Sequence, residues 1–326
     1  MRIVLCYPVE PHHIQRIQAA APAAEIVNAG QENVDVELPS ADIFIGHAKV
    51  PVDWGRVVRG GRLKWIQSSA AGLDHCLVPE VLPTDIVVTS AAGLFAPQVT
   101  EQTLALLLGL LREIPLFLEA AKRREFIRRP TDDLRGKTVG IVGLGGNGRC
   151  IARALAPLDV RIVATDYYPV DKPAEVDQLW GAEELPKLMQ ISDIVILALP
   201  LNQATRGIID GEKLSMMRPG GYLINVARGQ VVLEADLVAA LQTEQLKGAG
   251  LDVTEVEPLP PESPLWEMPR VIITPHVGAQ SSRRVDDTTD LVCENLERYL
   301  RGEDLWNRVD KGLGFAHPSV VWKPHR

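Results

Sequence analysis

Three glycines, an arginine, two carboxylates and a histidine stand in this chain where they could do chemistry together. Gly143, Gly145 and Gly148 follow the apolar run Thr138-Val139-Gly140-Ile141-Val142 at G-x-G-x-x-G spacing, and a helix-competent stretch, 149–158, comes next. In such a strand–turn–helix the first glycine permits the tight turn and the second lets a pyrophosphate approach the backbone. The third lets the helix pack closely on the strand. The helix N-terminus offers N–H groups and a partial positive charge to the phosphates. A second strand, 160–165, leads to Asp166, whose carboxylate can accept both hydroxyls of a ribose and would repel a 2′-phosphate. The pattern predicts that NAD is bound in preference to NADP.

Three later strands end in polar groups. One delivers Ala227-Arg228-Gly229, the next Asp252 and then Glu257, and the last Pro275-His276-Val277-Gly278. In an open α/β sheet ligands bind beyond the carboxyl ends of the strands, so these groups converge where a nicotinamide would lie. Reducing a 2-oxo acid requires a proton for the carbonyl oxygen, a grip on the carboxylate and stabilisation of charge on the oxygen. Histidine suits the first task near neutrality. A carboxylate beside it favours the imidazolium and fixes the ring. Arginine's fork can hold a carboxylate and polarise a carbonyl together, which lysine cannot copy. His276 is therefore expected as acid/base, Glu257 as its partner and Arg228 as substrate clamp.

Two series of short apolar runs must position these residues. The first, at 3–7, 25–28, 42–46, 65–68 and 86–89, alternates with segments long enough for helices, which indicates a parallel α/β layer. The second, at 138–142, 161–165, 194–199, 222–226, 248–251 and 271–274, predicts a six-stranded doubly wound dinucleotide domain. Between them, 99–120 is apolar on nearly every helical face and is expected to be buried all round, at a domain or subunit interface. The basic stretch 122–129 reads as a solvated hinge or loop. A helix over 283–300 is expected to return to the first layer, and the tail from Lys311 has no period that places it.

The chain has 326 residues, room for two domains, and 46% hydrophobic with 23% charged residues fits a globular protein. A net charge of −8 argues against a nucleic-acid partner. No apolar run approaches a membrane span or a signal peptide, so a cytoplasmic location is expected. The four cysteines, Cys6, Cys76, Cys150 and Cys293, show no paired spacing, which predicts buried reduced thiols and neither disulfide nor metal site.

Taken in order, Leu134-Arg135-Gly136-Lys137-Thr138 with the glycine loop, Asn225-Val226-Ala227-Arg228-Gly229, Leu251-Asp252-Val253 through Glu257-Pro258-Leu259-Pro260, and Thr274-Pro275-His276 resemble the signatures of the D-isomer-specific 2-hydroxyacid dehydrogenases. Ala70-Ala71-Gly72-Leu73-Asp74 is similar to that family's substrate-domain loop. The resemblance implies a flavodoxin-like substrate domain, 1–96 plus 285–326, around a Rossmann NAD domain, 97–284. It implies catalytic roles for Arg228, Glu257 and His276, and substrate binding by Arg228, His276 and the backbone of Ala71 and Gly72. Cofactor contacts are expected from Gly143, Gly145, Gly146, Asn147, Gly148, Asp166, Leu199, Pro200, Thr205, Val226, Ala227, Asp252 and Gly278. It also implies a homodimer built through 99–120. Gly146-Asn147 departs from the Arg-Ile type of pair often found in the family, so a pyrophosphate-facing guanidinium is missing.

The expected activity is NAD-dependent interconversion of a small 2-oxo acid and its D-2-hydroxy acid, with glyoxylate or hydroxypyruvate preferred. Phosphoglycerate is the next substrate, which would need a cation such as Lys49 or Arg62. A phosphite dehydrogenase and a non-catalytic NAD-responsive binding protein are the alternatives. Glu257 disfavours a formate dehydrogenase, which would hold Gln there.

Overall fold

A computed structural model describes residues 1–322; the end of the tail, 323–326, lies outside the described residues. The chain divides into two compact units, Met1–Phe95 with Ser281–Arg326, and Ala96–Gln280.

The first unit begins β1 (Arg2–Cys6), α1 (Pro11–Ala20), β2 (Glu25–Asn28), α2 (Val34–Glu37), β3 (Ile43–Gly46), α3 (Trp54–Arg59), β4 (Trp65–Ser68) and β5 (Val87–Thr89). Its five strands are parallel in the order β2-β1-β3-β4-β5, the flavodoxin-like arrangement. Both faces are covered, which explains the continuous apolar runs. Ile3, Leu5, Ile43 and Ile45 pack in one core cluster, whereas Val4, Cys6, Phe44 and Ile66 pack in the other.

The second unit contains α4 (Ala96–Leu111), α5 (Ile114–Lys122), β6 (Thr138–Val142), α6 (Gly146–Leu155), β7 (Arg161–Asp166) and β8 (Gln178–Gly181). It continues through α7 (Leu185–Ile191), β9 (Ile194–Leu197), α8 (Gly211–Met216), β10 (Gly221–Asn225), α9 (Glu234–Gln242), β11 (Leu246–Leu251) and β12 (Val271–Ile273). The parallel sheet runs β12-β11-β10-β9-β6-β7-β8, a Rossmann order carrying one additional edge strand. The chain crosses over between β6 and β9, the switch point at which such sheets bind ligands.

The chain then returns to the first unit through α10 (Arg284–Arg301), followed by a short hairpin of β13 (Val309–Asp310) and β14 (Phe315–Ala316). Within that unit α10 lies on α1. His13 accepts the Glu10 N–H at Nδ1 (3.0 Å) and meets Asp286 at Nε2 (3.0 Å), so both ring nitrogens clasp the helix pair.

The structure departs from the sequence reading in three places. The second sheet has seven strands, because β8 carries Gln178 and Gly181 and is only half-buried at the edge, leaving no apolar run to read. The 99–120 segment is two helices, broken where Glu113 takes φ 51° and Pro115 supplies no N–H. On the single chain this segment leaves Leu108, Ile114 and Leu118 exposed, so burial all round would require a partner. Of the four thiols, only Cys6 and Cys76 are fully buried. Burial pushes the Cys6 thiol up to about 11 and the Cys76 thiol up to about 12. Among the described residues no helix is long and apolar enough to cross a membrane.

Candidate active site

The dinucleotide end of the second unit is built by close backbone contact. Gly143 takes φ +95°, and a Cβ there would lie 2.8 Å from backbone atoms of Ala198 and Leu199, at the end of β9. A Cβ on Gly148 would collide with the Gly143 carbonyl oxygen. The first turn of α6 thus presses directly on the glycine turn. A Cβ on Gly145, by contrast, would meet no atom of another part of the described chain within 4 Å, so a ligand can reach the backbone. No side chain caps α6. Its first N–H groups, on Gly146, Asn147 and Gly148, remain for an anion. The residues therefore fit a dinucleotide pyrophosphate.

Asp166 sits at the end of β7, where Oδ2 accepts the Leu144 N–H (2.6 Å) and Oδ1 the Tyr168 N–H (2.8 Å). These two bonds aim the carboxylate at the glycine turn and leave lone pairs for ribose hydroxyls. Leu199 is buried and Pro200 exposed. Thr205 folds the following loop back by donating to the Pro200 carbonyl oxygen (2.7 Å). Val226 and Ala227 are buried at the end of β10.

The reactive groups gather at the carboxyl ends of β10, β11 and β12. His276 Nδ1 meets Glu257 Oε2 at 2.9 Å, and Glu257 Oε1 accepts the Thr254 N–H at 3.2 Å. Burial alone would raise the Glu257 carboxyl. The bond and charge of His276, the Thr254 N–H and the Arg228 charge outweigh it and hold the group below the ordinary glutamate range. His276 itself takes φ +54°, a region that a non-glycine residue occupies only when its surroundings enforce it. Its N–H donates to the Asp252 carbonyl oxygen (2.8 Å). The Arg228 Nη1 donates to the Ala227 carbonyl (2.7 Å), and the Arg228 carbonyl accepts from Asn225 Nδ2 (3.1 Å). Gly229 lies so tightly on Thr254 that no side chain fits, which brings the arginine's strand end against the Glu257 segment.

Asp252 is only 3% exposed. Its carboxylate accepts the Thr274 hydroxyl (2.6 Å), the Val277 N–H (3.0 Å) and the Gly278 N–H (2.8 Å). Gln102, on α4, in turn donates to the Thr274 hydroxyl (2.8 Å). Asp252 therefore clasps both sides of His276 in place. Thr274 and Asn225 lay inside quoted motifs without an assigned role. Gln102 carried no signal at all, because its partner is remote in sequence.

In the first unit Ala71 and Gly72 follow β4. Ser68 Oγ accepts the Ala70 N–H (3.0 Å) and Arg284 Nη2 reaches the Ser69 carbonyl oxygen (3.4 Å). Lys49 is exposed beyond the carboxyl end of β3. Arg62 is a different case: it stands at the amino end of β4, paired with Asp42 (3.0 Å), which removes it as a substrate cation.

A Rossmann domain with a histidine–carboxylate pair and an arginine at three adjacent strand ends defines a nicotinamide-dependent type of oxidoreductase site. The family model described as D-isomer specific 2-hydroxyacid dehydrogenase, NAD binding domain, matches residues 104–278. The chain belongs to that family. A glyoxylate reductase of Thermofilum pendens is 36% identical over 255 residues, 74% of this chain and 73% of the relative. A D-3-phosphoglycerate dehydrogenase of Mycobacterium bovis is 33% identical over 87% of this chain, which spans about half, 54%, of that relative's length. Among solved structures, a D-isomer specific 2-hydroxyacid dehydrogenase of Xanthobacter autotrophicus Py2 in complex with NADPH and MES superimposes with a TM-score of 0.82. It is 31% identical, and the match covers 96% of this chain and 99% of that one.

Proposed function

We propose that this protein is an NAD-dependent reductase of small 2-oxo acids, glyoxylate or hydroxypyruvate, yielding the D-2-hydroxy acid. The observation that carries the reading is the 2.9 Å contact of His276 with Glu257 on strand ends adjacent to Arg228. When bound, the nicotinamide supplies hydride to the substrate's carbonyl carbon. Arg228 grips the substrate carboxylate and polarises the carbonyl. In the first unit, the backbone N–H groups of Ala71 and Gly72 are proposed as carboxylate donors in their own right. His276 gives its proton to the carbonyl oxygen as the hydride arrives, and Glu257 balances the imidazolium. The similarity to a glyoxylate reductase supports the substrate class. NADH oxidation with glyoxylate, hydroxypyruvate, pyruvate and phosphohydroxypyruvate in parallel tests the reading. Turnover of glyoxylate or hydroxypyruvate is expected to be fastest; tight NADH binding without turnover of any of the four would overturn it in favour of phosphite oxidation or a binding protein.

The choice of NAD rests on Asp166, followed by Tyr167 and Tyr168; the cations that reach the same loop, Arg149 and Lys172, bond the backbone carbonyls of Val170, Asp171 and Val176. Removing the carboxylate in Asp166→Ala deletes charge-assisted bonds to the ribose, which are worth about 1.5–3 kcal/mol. The NADH to NADPH preference in kcat/KM is therefore expected to fall roughly 10- to 100-fold. An unchanged ratio would place selectivity elsewhere.

A homodimer is part of the same proposal, and the apolar surface that α4, α5 and the next segment leave uncovered supports it. Ile114, Leu118 and Phe126 are 46%, 59% and 93% exposed. A contiguous exposed apolar patch is the usual mark of an interaction surface. Leu118→Asp with Ile114→Asp is expected to convert a dimer to a monomer in sedimentation velocity. A wild-type chain that sediments as a monomer would contradict the assignment.

A further inference from the structure

The chain beyond α10 crosses back over the end of the first sheet and is tied there by bonds to buried backbone. Asn307, fully buried, is the hub. Its Nδ2 donates to the Ser90 and Ala92 carbonyl oxygens (2.9 and 3.1 Å), and its own carbonyl accepts the Ser90 N–H (3.1 Å). On its other side its N–H donates to the Val320 carbonyl (2.7 Å), while its Oδ1 accepts the Trp322 N–H (2.8 Å). One carboxylate holds the segment at two points: Glu294 Oε1 accepts the Trp306 indole N–H (2.5 Å) and Oε2 that of Trp322 (2.6 Å).

The same contacts continue to the loop assigned to the substrate carboxylate. Ser90 and Ala92 flank Ala91, whose N–H donates to the Ala70 carbonyl (3.0 Å), and the Ala70 N–H is held by Ser68 Oγ (3.0 Å). Asn295, next to Glu294, donates to Gln67 Oε1 (2.8 Å) just before that loop. Packing alone would need apolar contacts. Besides burying Val309, this segment makes charge-assisted bonds to Glu294 and buried bonds to the backbone of Ser90 and Ala92, which flank the residue bonded to Ala70.

We propose that residues 306–322 are a positioning strap: through Glu294 and Asn307 they hold the loop 69–72 in the geometry that receives the substrate carboxylate. This rests on the substrate reading above. The strap works through the loop and touches no reacting atom, so it governs KM for the 2-oxo acid and leaves NADH binding, which belongs to the second unit, unaltered.

Glu294→Gln loosens the clasp while keeping side-chain size, Trp322→Phe removes the indole N–H while keeping an aromatic ring, and Asn307→Asp keeps the acceptor for Trp322 while losing both donated bonds. Each is expected to raise KM for the 2-oxo acid about tenfold, the worth of one charge-assisted bond. Values of kcat and the NADH dissociation constant should stay within about twofold, since neither depends on the loop. Amide hydrogen exchange at 69–73 should quicken in the same variants. Unchanged KM with quickened exchange would overturn the proposal, as would a parallel fall in kcat and NADH affinity, which marks a merely structural role. Absence of any 2-oxo acid turnover by the wild-type protein defeats the substrate reading instead. Unchanged exchange at 69–73 in all three variants defeats the strap whatever the substrate.

Discussion

His276→Asn is expected to lose on the order of 10² to 10⁴ in kcat for 2-oxo acid reduction, the usual worth of a positioned general acid, while NADH binding persists. Asparagine is the informative replacement because it tolerates the left-handed backbone that His276 adopts at φ +54°. The Asp252 clasp on Val277 and Gly278 should therefore survive the change. The ring lies 45% exposed, within reach of a substrate, and its Nδ1 is committed to Glu257. In the proposed reaction Nε2 is thus the nitrogen left to exchange a proton with the substrate. Single-turnover kinetics with NADH and glyoxylate separate this step from binding; an unchanged rate would remove His276 from the reaction.

The same pair sets an acid limit. A carboxyl lowered in the folded state contributes stability above its unfolded value and loses it as pH falls through the folded value. Glu257 is lowered, so its contact with His276 persists through mild acid and is lost only below the ordinary glutamate range. A kcat profile for the wild-type enzyme that collapses at the unperturbed glutamate value of about 4.3 would contradict this.

Arg228→Lys is expected to lower kcat/KM for the 2-oxo acid roughly 10²-fold, mainly through KM, because an ammonium cannot make the two parallel bonds of a guanidinium fork. The arginine's place is tightly prescribed. Asn225 holds its carbonyl, and Gly229, pressed on Thr254, leaves the strand end no freedom to re-aim a shorter side chain. Lysine therefore keeps the charge and loses the geometry. Arg228→Met would remove both, and the difference between the two variants measures the charge alone. Equal KM values for wild type and the lysine variant would dismiss the clamp role.

The glycine positions, Asp166 and the ordered strand-end residues were legible because each answers a local requirement. A turn that must admit φ +95° at Gly143, or a helix that must touch a strand at Gly148, selects glycine at fixed spacing along the chain. The half-buried edge strand β8 was not legible, since it leaves no apolar period to read, whereas the break at Glu113 had a signal in Pro115, a residue that ends or kinks a helix.

The sequence by itself determined the family, the two parallel α/β layers and the residue types of the reactive set. Only the tertiary structure decided which groups support them. Asp252 with Thr274 and Gln102, Asn307 with Ser90, and Glu294 with Trp322 are partners brought together across long stretches of chain. Arg62 was removed from consideration by the end of the sheet on which it lies, beside Asp42. Hydrogen bonds between remote segments impose no spacing on the sequence, so their partners can be named only once the chain has folded.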